Sequence, residues 1–186
     1  MSKLYIYAGI AASCVMICIG IGAIAVGLDG RSTVRDELAR ENIVGTPDMK
    51  KVANEKIDTG QEARDFAAGI RVHTLAATKG QTYAEMPRFL DESGKPTADE
   101  KAAAVDPKSG EPVSNPAREI WVTETALTTA LNTSYFAENV ANFAIVMGLA
   151  LLLAGIGFLV LTLRLPWRQT KEEASKAPAR QPALAH

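Results

Sequence analysis

The polar middle of this chain contains no cysteine. Its only two, Cys14 and Cys18, lie inside a long apolar run near the N-terminus. No disulfide can staple the middle, and the redox character of its compartment leaves no mark there. Histidine is nearly as scarce, with only His73 and His186. The chain has no H-E-x-x-H, no G-x-S-x-G and no glycine-rich loop following a strand; Gly20, Gly22 and Gly27 all sit in the apolar run. Hydrolytic or metal chemistry needs a nucleophile, an acid/base or a ligand set in mutual reach. The expectation is therefore no enzyme, with no catalytic, cofactor or metal residues to name. Carboxylate pairs such as Asp91/Glu92 and Asp99/Glu100 fall in polar loop sequence, where water solvates them.

Charge is missing from two long stretches. Residues 4–28 hold no ionisable group beyond the phenols of Tyr5 and Tyr7 and the two thiols. Residues 140–163 hold one amide (Asn142), one hydroxyl (Thr162) and no charge. About 20 apolar residues match the ~30 Å of a bilayer core, so both runs qualify as membrane helices. An A-x-A site at Ala23-Ile24-Ala25 also fits a cleaved signal peptide, but the apolar region before it exceeds the usual ~7–15 residues. An uncleaved anchor is the better reading.

Between the runs, residues 29–139 carry 14 Lys/Arg against 19 Asp/Glu, a net charge of −5. That balance argues against a nucleic-acid or anionic-lipid surface. Lys3 precedes the first run, and Arg164, Arg168, Lys171 and Lys176 follow the second. On the other side, Arg31, Arg35 and Arg40 flank the first run, and no cation lies in the twenty residues before the second. This asymmetry puts both termini in the cytoplasm and residues 29–139 outside a plasma membrane. The aromatic flanks agree: Tyr5 and Tyr7, Tyr135 and Phe136, and Trp167. The tail at 164–186 reads as disordered.

The outer region predicts mostly helix and loop. Residues 32–43 pattern as a helix that continues the first run or restarts at Ser32. Thr46-Pro47-Asp48 signals a short helix to about Ile57. Residues 61–78 make a better one, with Ala63, Phe66, Ala67 and Ile70 as its apolar stripe and Lys79-Gly80 as its stop. Residues 91–115 read as loop around two Asp…Ser-Gly…Pro turns, with one helical turn at 101–105. Each turn offers one or two carboxylates, too few for a calcium loop. Asn115-Pro116 opens a helix that, unbroken to Leu163, would be ~72 Å long at ~1.5 Å per residue. Its Ile120, Leu127 and Leu131 fall near a 3.5-residue repeat, best read as packing on residues 32–43 and 61–78. The fold class is thus an all-α membrane protein: a two-span helical hairpin with a loop-rich, mostly helical domain between the spans.

Candidate interaction residues follow from small and polar side chains at helical spacing. Cys14, Cys18 and Gly22 recur every four residues, and Gly20, Ala23 and Gly27 line a second stripe. In the second run, Ala144, Gly148 and Gly155 share a face; such residues let helix backbones approach in lipid. Cys14 and Cys18 behave there as small apolar groups. Asn132, Asn139 and Asn142 lie near one face at the outer boundary, where amides seek partners across a helix interface, with Glu138 in reach. His73, Tyr83, Met86, Phe89 and Trp121 are the candidate outer core or ligand pocket. Neither run places a charged side chain at membrane depth, which argues against a carrier or channel.

Three stretches carry a resemblance: Glu41-Asn-Ile-Val-Gly-Thr-Pro-Asp-Met49; Ile70-Arg-Val-His-Thr-Leu-Ala-Ala-Thr78 with Gln81-Thr-Tyr-Ala-Glu-Met86; and Asn115-Pro-Ala-Arg-Glu-Ile-Trp-Val-Thr-Glu-Thr-Ala-Leu127. They resemble a family of small two-span membrane proteins of high-GC Gram-positive (actinobacterial) bacteria to which no activity is assigned. The likeness covers most of the outer region and reaches the second run. It implies a bacterial cell envelope and transfers no catalytic residue. That family carries cysteines in the outer region, and this chain has none there. The functional expectation is a scaffold or accessory subunit whose partners are the lipid bilayer and either further copies or other membrane subunits. A membrane-anchored sensor or ligand-binding module is the alternative.

Overall fold

The computed structural model describes residues 3–176, and side chains over residues 4–164. The protein is mostly helical: α1 spans Lys3–Arg40, α2 Gly60–Ala77 and α3 Pro116–Lys176. Between α2 and α3 lie two short strands, β1 (Phe89–Leu90) and β2 (Pro96–Thr97), and one 3-10 turn at Glu100–Ala102. Helices α1 and α3 each contain a stretch long and apolar enough to cross a membrane. The chain divides into two compact units, Met1–Asp29 with Ala141–His186, and Gly30–Val140.

In the first unit, the apolar parts of α1 and α3 meet backbone to backbone. A Cβ placed on Gly20 would stand 2.7 Å from the carbonyl oxygen of Gly148, and one on Gly148 would stand 2.7 Å from that of Gly20. One end of the contact has Gly27 against Ala141 and Ile145; the other has Gly155 against Ser13 and Ile17, then Gly9 against Thr162. The two helices therefore run in opposite directions here. On α1 the contact residues fall at 9, 13, 17, 20, 24 and 27, and on α3 at 141, 145, 148, 152, 155 and 162. Steps of three, four and seven keep one helical face on its partner. Ser13, buried here, donates its hydroxyl to the Gly9 carbonyl at 2.8 Å.

In the second unit, α2 begins with a capping box. The Thr59 side chain accepts from the Glu62 N–H, and Glu62 accepts from the Thr59 N–H at 2.9 Å. Thr59 is thus the N-cap of α2 and Gly60 its first residue. The helix closes at Lys79 and Gly80, both with positive φ. The core gathers Leu38 from α1, Met49, Val52 and Ile57 from the connecting loop, Ala63 and Ala67 from α2, and Leu131 from α3.

Three expectations need correction. Residues 47–57 form successive turns, not a helix. Gly45 donates to Glu55 O, Asn54 to Gly45 O and Ile57 to Ile43 O. The loop folds on itself so that Met49, Val52 and Ile57, spaced as if helical, are all buried. The region 91–115 is not plain loop, and the fold is not strictly all-α. β1 pairs antiparallel with β2, and bridges join Phe89 to Ser114, Asp91 to Ala103 and Val105 to Pro112. The Ser-Gly turns close this small ladder with Gly94 and Gly110 at positive φ. Finally, α3 continues past Leu163 to Lys176, where Gln169, Lys171, Glu172, Glu173 and Ala174 are good helix formers. Of the tail expected to be disordered, 177–186 lies outside the described residues.

Candidate functional site

Among the described residues, the most heavily coordinated polar group in the second unit is Glu138, 6% exposed on α3. One carboxylate oxygen accepts from Arg35 at 2.9 Å (Nε) and 2.8 Å (Nη2), with Arg31 Nε at 3.4 Å. The other accepts from the Gly60 N–H at 2.5 Å, the first amide of α2. An anion at a helix N-terminus meets unsatisfied N–H groups and the positive end of the helix dipole. A Cβ on Gly60 would lie 2.8 Å from that oxygen, so the approach requires glycine. Burial pushes the Glu138 carboxyl up, but the Gly60 amide, Arg35 and Arg31 together outweigh it and hold it below the ordinary glutamate range.

A second polar line joins α2 to α3. Arg64 donates to the Tyr135 hydroxyl at 2.8 Å and lies over its ring, 4.7 Å from the centroid. One turn pair further, Arg71 stacks on buried Trp121 at 4.9 Å and approaches buried Glu124 at 3.5 Å. Near the start of α3, Arg118 donates to the carbonyls of Tyr83 (3.0 Å) and Met86 (2.7 Å), with the Tyr83 ring 3.7 Å away.

The five residues expected to form a core or a ligand pocket are placed as follows. Met86 and Trp121 are buried packing residues. Tyr83 and Phe89 line a cavity of about 480 Å³ with Arg88, Asn115 and Arg118. His73 is exposed on α2 and hydrogen-bonded to Asp48. The Thr46 hydroxyl and then His73 hold the Asp48 carboxyl below its usual range.

The asparagine expectation also changes. Asn139 donates to the Tyr135 carbonyl of its own helix at 2.8 Å. Asn132 is exposed and Asn142 half-buried, and among the described residues none of the three makes a hydrogen bond to another helix. Glu138, on the same stretch of α3, takes that role instead.

Of the small residues, Gly148 and Gly155 are buried against α1, and Ala144 is half-buried beside them. Cys14 and Cys18 are exposed, and a Cβ on Gly22 would meet nothing within 4 Å. The stripe Cys14/Cys18/Gly22 therefore does not pack within the chain. The face through Gly20 and Gly27 does, because its heptad-like steps track the partner helix and a strict four-residue step drifts off it. Among the described residues, no three His, Cys, Asp or Glu side chains are placed to hold a metal.

These features define a class: a mostly helical protein with two helices long and apolar enough to cross a membrane, and a second compact unit pinned by one buried carboxylate. No protein-family model, curated protein or solved structure matches the chain.

Proposed function

We propose that the chain is a two-span protein of a bacterial plasma membrane, with both termini cytoplasmic and residues 29–139 outside. In this reading it is a non-enzymatic scaffold or accessory subunit of a cell-envelope complex. The observation that carries it is the division of labour between two small-residue stripes on α1. Gly20 and Gly27 are consumed by the chain's own α3, whereas Cys14, Cys18 and Gly22 stay uncovered. In lipid, an uncovered small-residue stripe suits a further helix, from another copy or another subunit. The cation asymmetry across the two runs supports the orientation, and the resemblance to two-span actinobacterial proteins supports the compartment.

Native electrophoresis after mild detergent extraction tests the assembly. A complex larger than the 19.8 kDa chain is expected, and a lone monomer in several detergents would overturn the reading. Topology is tested with Ser109→Cys in a Cys14→Ser/Cys18→Ser background. Ser109 is exposed beside Gly110, so a membrane-impermeant maleimide should label it on intact cells. Labelling only after lysis would invert the orientation.

A further inference from the structure

In the outer unit, α2 and α3 run antiparallel, linked by Arg64 to Tyr135 and by Arg71 to Glu124. Along one side of the pair lies a groove in two stretches, about 670 and 480 Å³, which meet at Ile70 and Leu127. Its floor is apolar. Phe66, Ile70 and Leu131 belong to the core or its edge, but Leu127 is 51% and Ile120 46% exposed. The face of α3 that lines it carries residues 120, 123, 127, 130 and 134, in steps of three and four. That spacing is the seam one helix offers another, and Ile120 to Ser134 spans ~21 Å, about four turns. Leu131 satisfies the inner edge of the seam; the outer edge has no helix on it.

The carboxylates Glu37, Glu41, Glu119 and Glu124 line the groove and no Lys or Arg does; His73, which also lines it, is hydrogen-bonded to Asp48. Arg40 pairs with Glu37 and Arg71 approaches Glu124. Glu41 and Glu119, one towards each end, have no ion pair among the described residues. A second copy docking groove to groove would bring identical carboxylates together, which is destabilising. We propose that the groove receives a basic amphipathic helix of a partner protein, with apolar anchors on Ile120, Leu127 and Ile70 and Lys or Arg beside Glu41 and Glu119. This rests on the accessory-subunit reading and names the chemistry of the partner.

The test uses the full chain in nanodiscs of zwitterionic lipid and a fluorescent model helix of about four turns, with leucine at the seam positions and lysine on the flanks. Anisotropy should show it binding at least ~10-fold more tightly than a twin with glutamate flanks. Glu41→Lys with Glu119→Lys should reverse that preference, and Leu127→Glu should abolish binding; all three side chains are exposed, so the fold is not at stake. Equal binding of the two helices, or binding untouched by these variants, overturns the proposal. So does a photo-crosslink from benzoylphenylalanine at position 127, in native membranes, that maps to a second copy or to lipid. The two ideas fail separately: a monomeric wild type on native electrophoresis sinks the subunit reading, and a wild-type complex with no preference for the basic helix sinks the groove alone.

Discussion

Removing the carboxylate of Glu138 would leave two guanidinium groups and the first N–H of α2 facing a half-buried gap. Both arginine side chains are about 40% exposed, so water reclaims much of their charge, while the Gly60 amide loses its acceptor. Glu138→Ala should cost the unit Gly30–Val140 roughly 2–3 kcal/mol of stability, and Glu138→Gln less, because an amide oxygen still accepts. Urea titrations followed by fluorescence of the buried Trp121 would measure both. The pH dependence follows from the depressed carboxyl. Its contribution is fully present above the unfolded value near 4.5 and is lost as pH falls through the lower folded value. Wild type should therefore lose stability below about pH 4.5 more steeply than Glu138→Gln; parallel profiles would rule out this site as the source. In the sequence, Glu138 was visible only as a lone acid beside three asparagines. Its partners Arg31 and Arg35 share a face by their i,i+4 spacing, but read more naturally as membrane-flanking cations. What joins them is a contact across 103 residues, which no local pattern encodes.

Among elements, the packing of α1 on α3 makes a contrast that can be measured. Gly20→Ala or Gly148→Ala would drive a methyl to 2.7 Å from a backbone carbonyl that cannot rotate away. The helices must separate, at a cost of about 1–3 kcal/mol. Gly22→Ala meets nothing and should be neutral within ~0.5 kcal/mol. Thermal melts in detergent would report the difference, and equal effects at positions 20 and 22 would refute the observed helical phase. The loop at 43–57 offers a second case, since a Cβ on Gly45 would stand 1.8 Å from the Val52 carbonyl oxygen. Gly45→Ala should therefore unfold that loop, detectable as protease cleavage between residues 43 and 57. Both long helices were legible because an uncharged run of bilayer length has few other interpretations. The turns at 47–57 were not, because Thr46-Pro47 followed by apolar Met49, Val52 and Ala53 imitates a capped helix. Strands of two residues leave no alternation to read, so the ladder at 89–97 announced itself only through its Asp…Ser-Gly turns.

For the whole molecule, the division into two units has a thermodynamic consequence. The unit Gly30–Val140 is held by a small core and by Glu138, Arg64 and Arg71, interactions that urea and water weaken. The apolar stretches satisfy their backbone groups within each helix and sit, on the proposed reading, in detergent or lipid that urea does not enter. Urea should therefore unfold the molecule in parts. In a Trp167→Phe background, Trp121 alone reports the unit Gly30–Val140, and its fluorescence should shift in one cooperative transition. Ellipticity at the helical band should fall across the same range and then level off, because the apolar parts of α1 and α3 stay helical. The slope against urea should match the surface of about 111 residues, not of the whole chain. If fluorescence and ellipticity instead fell together to a fully unfolded baseline, the apolar helices would owe their structure to that unit. The membrane reading of residues 4–28 and 140–163 would then lose its physical basis.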